Sequence, residues 1–135
     1  MRYLSIDPGD KRIGLAVGDD STKVATPVSV IFATGESERL GAIGQIIKSH
    51  EPDALVVGLP LNMDGSEGPA AKKTRCFADR LARRFGLPVH LVDERLSSYD
   101  ANLKLERTGL THKGKKRRRD ALAAAAILRR FLESV

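Results

Sequence analysis

Four acidic side chains lie where the sequence predicts that strands end or a helix begins. Asp7 follows a short apolar run, Asp93 and Glu94 follow another, and Asp120 precedes the apolar stretch of the last helix. In a sheet with parallel neighbours, sites form beyond the carboxyl ends of the strands, so these groups can converge there. Carboxylates held together repel unless a hard cation neutralises them, and Mg²⁺ or Mn²⁺ prefers such oxygen ligands. Two such ions could activate a water and stabilise the leaving oxygen in phosphodiester cleavage.

Each of these carboxylates also has a purely structural interpretation. Asp7 stands before a Pro-Gly pair, where aspartate is a common turn former. Asp120 before an apolar helix is an ordinary N-cap or a partner of the helix dipole. Asp93 and Glu94 could end an exposed strand in a surface ion pair. The metal hypothesis is favoured because all of these residues fall at element ends on one expected edge of the sheet.

The elements that would position these residues follow the order β-β-β-α-β-α-β-α-α. Apolar patterns predict strands at 3–6, 12–17, 24–33, 54–58 and 89–92. Helical spacing predicts helices at 37–50, from the polar loop 59–68 to about 85, from Ser97 or Ser98 to about 107, and from Asp120 to about 132, with a loop at 108–119. This order predicts an α/β fold with a mixed five-stranded sheet, its first three strands antiparallel, and helices on both faces.

Local patterns add further expectations about these elements. The second strand has a bulky face of Ile13, Leu15 and Val17 and a small face of Gly14, Ala16 and Gly18. Pro27 places the third strand near an edge of the sheet, and Ser37 is expected to cap the first helix. Because successive strand residues face opposite sides, only one of Asp93 and Glu94 can enter a site, and the pattern leaves open which.

The composition favours a polyanionic partner. The 135 residues include 23 Lys and Arg against 17 Asp and Glu, a formal net charge of +6, and basic side chains displace counterions from phosphate backbones. The candidate nucleic-acid contacts are Lys11, Arg12, Asn62, Arg95, Lys113, Lys115, Lys116, Arg117, Arg118 and Arg119. A solvated charged loop is the alternative interpretation of the last six. Aromatic residues make up 4%, so recognition should depend on phosphates and shape more than on stacked bases.

Several features predict a single soluble domain, residues 1–135, in the cytoplasm. Cys76 is the only cysteine, so no intrachain disulfide can form. The three histidines are far apart and lack zinc spacing. The N-terminus lacks the apolar segment of a signal peptide, and the longest apolar run, 121–128, is too short to span a bilayer.

Four motifs, in order, make the chain resemble the YqgF family. They are Asp7-Pro8-Gly9 with Lys11-Arg12-Ile13-Gly14, Val57 through Gly65, Val92-Asp93-Glu94-Arg95-Leu96, and Asp120-Ala121-Leu122-Ala123-Ala124. Members of that family are described as nucleases that process the 5′ end of pre-16S ribosomal RNA, or as Holliday junction resolvases. The resemblance implies a ribonuclease H-like fold. It also implies that Asp7, Glu94 and Asp120 form an acidic triad that binds metal, with Asp93 able to assist.

The leading functional hypothesis is a metal-dependent nuclease acting on structured nucleic acid, with the 5′ end of pre-16S rRNA as the favoured substrate. One alternative is a Holliday junction resolvase acting on DNA, and another is a non-catalytic RNA-binding factor for ribosome assembly. The carboxylates favour catalysis, because a pure binder has no use for acidic groups that face phosphates. The last helix offers only Asp120, so one metal or two remains open, as does a monomer or a homodimer.

Overall fold

The chain folds into a five-stranded sheet with helices packed on both faces. The computed structural model describes residues 1–9, 11–94 and 112–135, with the backbone alone for 112–120. The strands are β1 (Arg2–Pro8), β2 (Arg12–Asp19), β3 (Val24–Phe32), β4 (Ala54–Leu59) and β5 (Val89–Asp93). The helices of the described residues are α1 (Glu36–His50), α2 (Pro69–Phe85) and α3 (His112–Ser134). The helix predicted to begin at Ser97 or Ser98 lies outside the described residues.

The strand order β3-β2-β1-β4-β5 confirms the predicted mixed sheet. β1 pairs antiparallel with β2, and β2 pairs antiparallel with β3, which places Pro27 on an edge strand as expected. β4 runs parallel to β1, and β5 runs parallel to β4. The carboxyl ends of β1, β4 and β5 therefore meet at one edge of the sheet, where Asp7 and Asp93 lie.

The larger part of the core lies between the sheet and the pair α1 and α2. It is built from Leu4, Ile6, Ile13, Leu15, Leu55 and Val57 of the sheet, Leu40 and Ile43 of α1, and Phe77 and Leu81 of α2. Full burial of one such side chain contributes about 1.5–3 kcal/mol. All six residues of β4 are buried, which is typical of a parallel strand covered by helices on both faces.

The opposite face of the sheet is covered by α3, which packs against its small side chains. Ala16 of β2 contacts Ala124 and Ala125 of α3, and all three are almost fully buried. A Cβ added to Gly18 would lie 2.9 Å from a methyl group of Leu128. The small face of β2 and the alanine run of α3 therefore act together, because the small side chains on both allow the helix to lie close to the sheet.

The prediction for the start of α3 was wrong. Its first residue is His112, so the basic segment 113–119 is helical rather than a loop, and Asp120 lies inside the helix instead of capping it. Lysine and arginine are good helix formers, and a single Gly114 costs only about 1 kcal/mol. Tertiary packing holds the apolar half of α3, and extending such a helix by further turns is easier than starting one. None of the described helices has the length and apolar character needed to cross a membrane.

The other two helices differ in how their ends are formed. α1 begins at Glu36 after Gly35, and no side chain caps it, so Ser37 does not play the predicted role. Acidic groups at Glu36 and Glu38 interact favourably with the helix dipole there. Gly86 ends α2 in the left-handed conformation, with φ of 65°, which glycine adopts without a steric penalty.

Replacing Gly18 by alanine should lower stability by about 1–3 kcal/mol, because the new methyl group would overpack the junction with α3. Its Cβ would lie 2.7 Å from the carbonyl oxygen of Val24, a backbone atom that cannot turn aside. The matched control is Gly41→Ala in α1, where nothing lies within 4 Å, and that change should raise stability by about 0.5–1 kcal/mol. Urea denaturation midpoints of the two variants should move in opposite directions, and equal shifts would contradict the packing described for Gly18.

Candidate active site

Asp7 projects from the face of the sheet that α3 covers. It is half-buried near the end of β1, and it shares its side of the strand with Tyr3 and Ser5. Tyr3 packs in the cluster formed with α3, and Ser5 Oγ donates a hydrogen bond of 2.5 Å to the carbonyl oxygen of Ala124. The alternation along β1 therefore assigns Asp7 to the α3 side.

The same alternation decides between the two acidic residues after β5. Leu91 packs into the core under α1 and α2, whereas Val92 packs against the cluster formed with α3. Asp93 follows the side of Leu91, and Glu94 follows the side of Val92. Glu94 and Asp7 thus share one face of the sheet, and Asp93 belongs to the other.

Gly58 provides the space into which the Glu94 side chain leans. A Cβ on Gly58 would lie 2.5 Å from Oε2 of Glu94 and 2.6 Å from Cδ1 of Ile127 in α3. The backbone N–H of Glu94 donates to the carbonyl oxygen of Leu59, which extends the pairing of β5 with β4. β1 and β5 are two strands apart, about 10 Å, and the Glu94 carboxylate shortens this gap by lying over β4.

The helix α3 runs antiparallel to β1 and carries Asp120 toward the same edge. Tyr3 stacks edge-on against Phe131 with ring centroids 5.0 Å apart, and Ser5 is bonded to Ala124. Asp7 lies two residues beyond Ser5 along β1, which is a distance of about 7 Å. Four residues back along α3, the backbone of residue 120 is displaced by about 6 Å in the same direction. The backbone of Asp120 therefore comes level with Asp7, while its side chain lies outside the described residues.

The loop after β4 also lies at this edge, and its side chains hold it together. The Asn62 amide donates to Ser66 Oγ at 3.0 Å, and the backbone N–H of Ser66 donates to Asp64 Oδ1 at 2.9 Å. Arg75 of α2 binds Glu67 at 2.6 Å, and this hydrogen bond holds the pKa of the Glu67 carboxyl below its usual value. Asn62, predicted to contact nucleic acid, thus has at least a structural role in ordering the loop.

Two of the predicted cationic residues, Lys11 and Arg12, lie next to the end of β1. Lys11 is exposed before β2, and Arg12 is the half-buried first residue of that strand. The backbones of Lys113 and of residues 115–119 lie in the first turns of α3. Arg95 and the side chains of those helical residues lie outside the described part of the chain. Within that part, no three His, Cys, Asp or Glu side chains are gathered as a metal site.

Sequence reasoning missed two residues that shape this site, Ser5 and Gly58. Ser5 is fully buried, and it is the one polar residue within the apolar run 3–6. That isolated polarity was a signal, because a buried hydroxyl needs a hydrogen-bond partner. Gly58 at the end of a buried strand was also visible, since a glycine there often marks close approach by another group.

The family model described as "RuvX: Holliday junction resolvase" matches residues 1–134. The chain belongs to the RuvX family. This result confirms the resemblance to the YqgF family that the four motifs indicated. Two proteins that are similar to this RuvX family member are each named "Putative pre-16S rRNA nuclease". The one from Anaeromyxobacter dehalogenans is 46% identical and covers 98% of this chain and 97% of its own length. The one from Bordetella parapertussis is 45% identical and covers 98% and 93%.

Solved structures confirm the ribonuclease H-like fold of this RuvX family member. Thermus thermophilus RuvC, solved with a Holliday junction substrate, is 20% identical, with a TM-score of 0.60 over 99% of this chain and 95% of that one. The Fowlpox virus resolvase, solved with Holliday junction DNA, is 10% identical, with a TM-score of 0.63 over 99% and 98%. At these identities the likeness shows the fold.

Replacing Ser5 by alanine should lower the free energy of unfolding by about 1 kcal/mol, the usual net contribution of one such hydrogen bond. The loss should also loosen α3 against β1, because Ser5 Oγ is bonded to the helix backbone at Ala124. Hydrogen exchange of the α3 amides should quicken more than exchange in α1. Ser21→Ala, which removes an exposed hydroxyl bonded only to Asp19, is the control. Unchanged exchange in α3 would contradict the role of Ser5.

Proposed function

We propose that residues 1–135 form a single nuclease domain that hydrolyses phosphodiester bonds in structured nucleic acid with the help of a divalent metal. The observation that carries this proposal is the common face of Asp7 and Glu94, at the carboxyl edge of the sheet, toward which α3 brings residue 120. Carboxylates on one side of a sheet edge repel each other, and they are useful where a cation joins them. A factor that only binds RNA would gain nothing from acidic groups at that place.

Asp7, Glu94 and Asp120 are the proposed ligands of Mg²⁺ or Mn²⁺. The donor set fits, because such hard cations take carboxylate oxygens, and Gly58 leaves room for the Glu94 carboxylate beside the site. Asp93 belongs to the opposite face of the sheet, so Glu94 is the better candidate for the second ligand. The bound metal would lower the pKa of an attacking water and neutralise charge on the phosphate.

The proposed substrate is a structured RNA, and the favoured one is the 5′ end of pre-16S rRNA, as in the names of the relatives. The net charge of +6 favours a nucleic acid. In the helix, positions 113, 116 and 117 lie one and two turns before Asp120 along one side, so their cations are the best placed to bind phosphates beside the cut. Lys115, Arg118 and Arg119 occupy other sides of the helix. A cytoplasmic location follows from this substrate.

The description of the family model favours a second candidate, cleavage of a Holliday junction in DNA. That activity requires two active sites that cut two strands in concert, and so a symmetric dimer. Trimming of an rRNA precursor can be carried out by a monomer.

Replacing Asp7 by asparagine should reduce metal-dependent cleavage at least about 100-fold, because a ligand charge is lost from the metal site. The variant should fold normally, since the two side chains have the same shape. Cleavage of a labelled rRNA precursor and of a four-way DNA junction should be measured in parallel in Mg²⁺ and in Mn²⁺. Full activity of the variant on either substrate would refute the proposed role of Asp7. The substrate that the wild type cuts decides between the two candidate functions.

Replacing Gly58 by alanine should impair cleavage while leaving the fold intact. The added methyl group would displace the Glu94 carboxylate and the tip of Ile127, which are both ends of flexible side chains. We expect a loss of activity of about 10-fold or more, because small displacements of catalytic groups are costly, with a stability change of less than about 1.5 kcal/mol. Gly41→Ala is the control for adding a methyl group where there is space. Activity equal to the wild type in Gly58→Ala would exclude the inferred position of Glu94.

A further inference from the structure

A cleft with a volume of about 400 Å³ opens beside the candidate active site, between α1 and α2. Pro8 and Gly9, which directly follow Asp7, line one side of it, and Glu94 lines it as well. The rest of its wall is formed by α1, α2 and the loop residues Thr34 and Pro60, on the side of the sheet opposite α3. The cleft therefore opens directly beside Asp7 and Glu94. A strand bound at the proposed metal site would have its next nucleotide at the mouth of the cleft.

The lining combines an apolar floor with a cationic rim. Pro60, Ala70 and Phe77 contribute carbon surface to the floor. The rim carries Arg39, Lys73 and Arg80, together with the Glu36 carboxylate that Arg80 binds. Small-molecule sites have this character and volumes of about 300–1,000 Å³. A nucleotide suits such a lining, because its base is a flat, largely apolar group and its phosphate is an anion.

Three hydrogen bonds, made by Arg39 and Arg80, preform the rim. Arg39 donates from Nε to the carbonyl oxygen of Ala33 at 2.8 Å and from Nη2 to the carbonyl oxygen of Gly9. These bonds tie the turn after β1 to the segment before α1, and the carbonyl partners orient the guanidinium. Arg80 of α2 binds Glu36 of α1 at 2.5 Å, which holds the two helices across the cleft.

Thr74 supplies the polar group that points to a ligand. Only 7% of this residue is exposed, and it lines the cleft. A helical threonine ordinarily bonds the carbonyl oxygen one turn earlier, yet in the described part of the chain the Thr74 hydroxyl has no hydrogen-bond partner. Buried polar groups are nearly always satisfied, and this hydroxyl is placed to bond a molecule that enters the cleft.

We propose that the cleft binds one unpaired nucleotide of the substrate strand next to the scissile phosphate. The Thr74 hydroxyl bonds the base or the sugar, the floor covers the base, and the cations of the rim hold the adjoining phosphate. The inference rests on the proposed nuclease function and narrows its substrate to nucleic acid with an unpaired end or bulge beside the cut. Enclosure in a cleft replaces the open aromatic stacking surfaces that this chain largely lacks.

The test is binding of fluorescein-labelled duplexes measured by anisotropy in EDTA, where no cleavage occurs. The probes are a blunt RNA duplex, the same duplex with a four-nucleotide 5′ or 3′ overhang, and the corresponding DNA duplexes. We expect at least 10-fold tighter binding of one overhang than of the blunt duplex. Ala70→Phe should abolish that preference, because its ring fills the cleft from an exposed position of α2. Thr74→Val, which keeps the shape and loses the hydroxyl, should reduce it 3-fold or more.

The control is Cys76→Phe, which adds the same ring at an exposed position of α2 that does not line the cleft, and it should keep the preference. Equal binding of blunt and overhang duplexes by the wild type would overturn the proposal, as would a preference that survives in Ala70→Phe. A preference confined to RNA or to DNA identifies the source of the nucleotide. Cleavage in Mg²⁺ is measured separately: a lost preference with cleavage retained refutes the cleft alone, and a preference without cleavage refutes the nuclease function alone.

Discussion

The close packing of α3 on the small face of the sheet is the constraint on which the candidate site depends. Alanines meet across this junction, and glycines on β2 and β4 leave space beside them. A single buried hydrogen bond, from Ser5 to the carbonyl oxygen of Ala124, sets how far the helix lies along β1. Because interiors are tightly packed, sliding the helix by one residue would bring larger side chains against the sheet. The position of Asp120 relative to Asp7 is thus fixed by residues that have no chemistry of their own.

The carboxyl edge of the three parallel strands has different chemistry on its two faces. On the α3 face it presents Asp7 and Glu94 beside the basic beginning of the helix. On the other face it opens into a preformed cleft with a cationic rim. A nucleic-acid strand that crosses this edge would meet both faces in turn, so that under the two proposals one face would provide chemistry and the other selection. The ribonuclease H-like fold makes this division possible because a single sheet edge is shared by helices on both sides.

The helical form of segment 113–119 changes how its charge can act. In a loop, six cations could adapt together to one phosphate backbone. In a helix their positions are distributed around the axis, so only those one or two turns before Asp120 share its side. Under the proposed function, the remaining positions would add to the long-range attraction of nucleic acid rather than to contacts at the cut.

The sequence by itself determined the order of the elements, the antiparallel first three strands and the acidic residues at the ends of β1 and β5. It could do so because strand and helix periods are local properties, and because the four motifs identify the family. It also showed the small face of β2, but not that α3 covers it. Only the tertiary structure decided that Glu94 and not Asp93 faces the Asp7 side, since alternation tells two faces apart without saying which helix covers each. The start of α3 and the cleft with Thr74 likewise depend on packing between segments far apart in the chain, which no local pattern encodes.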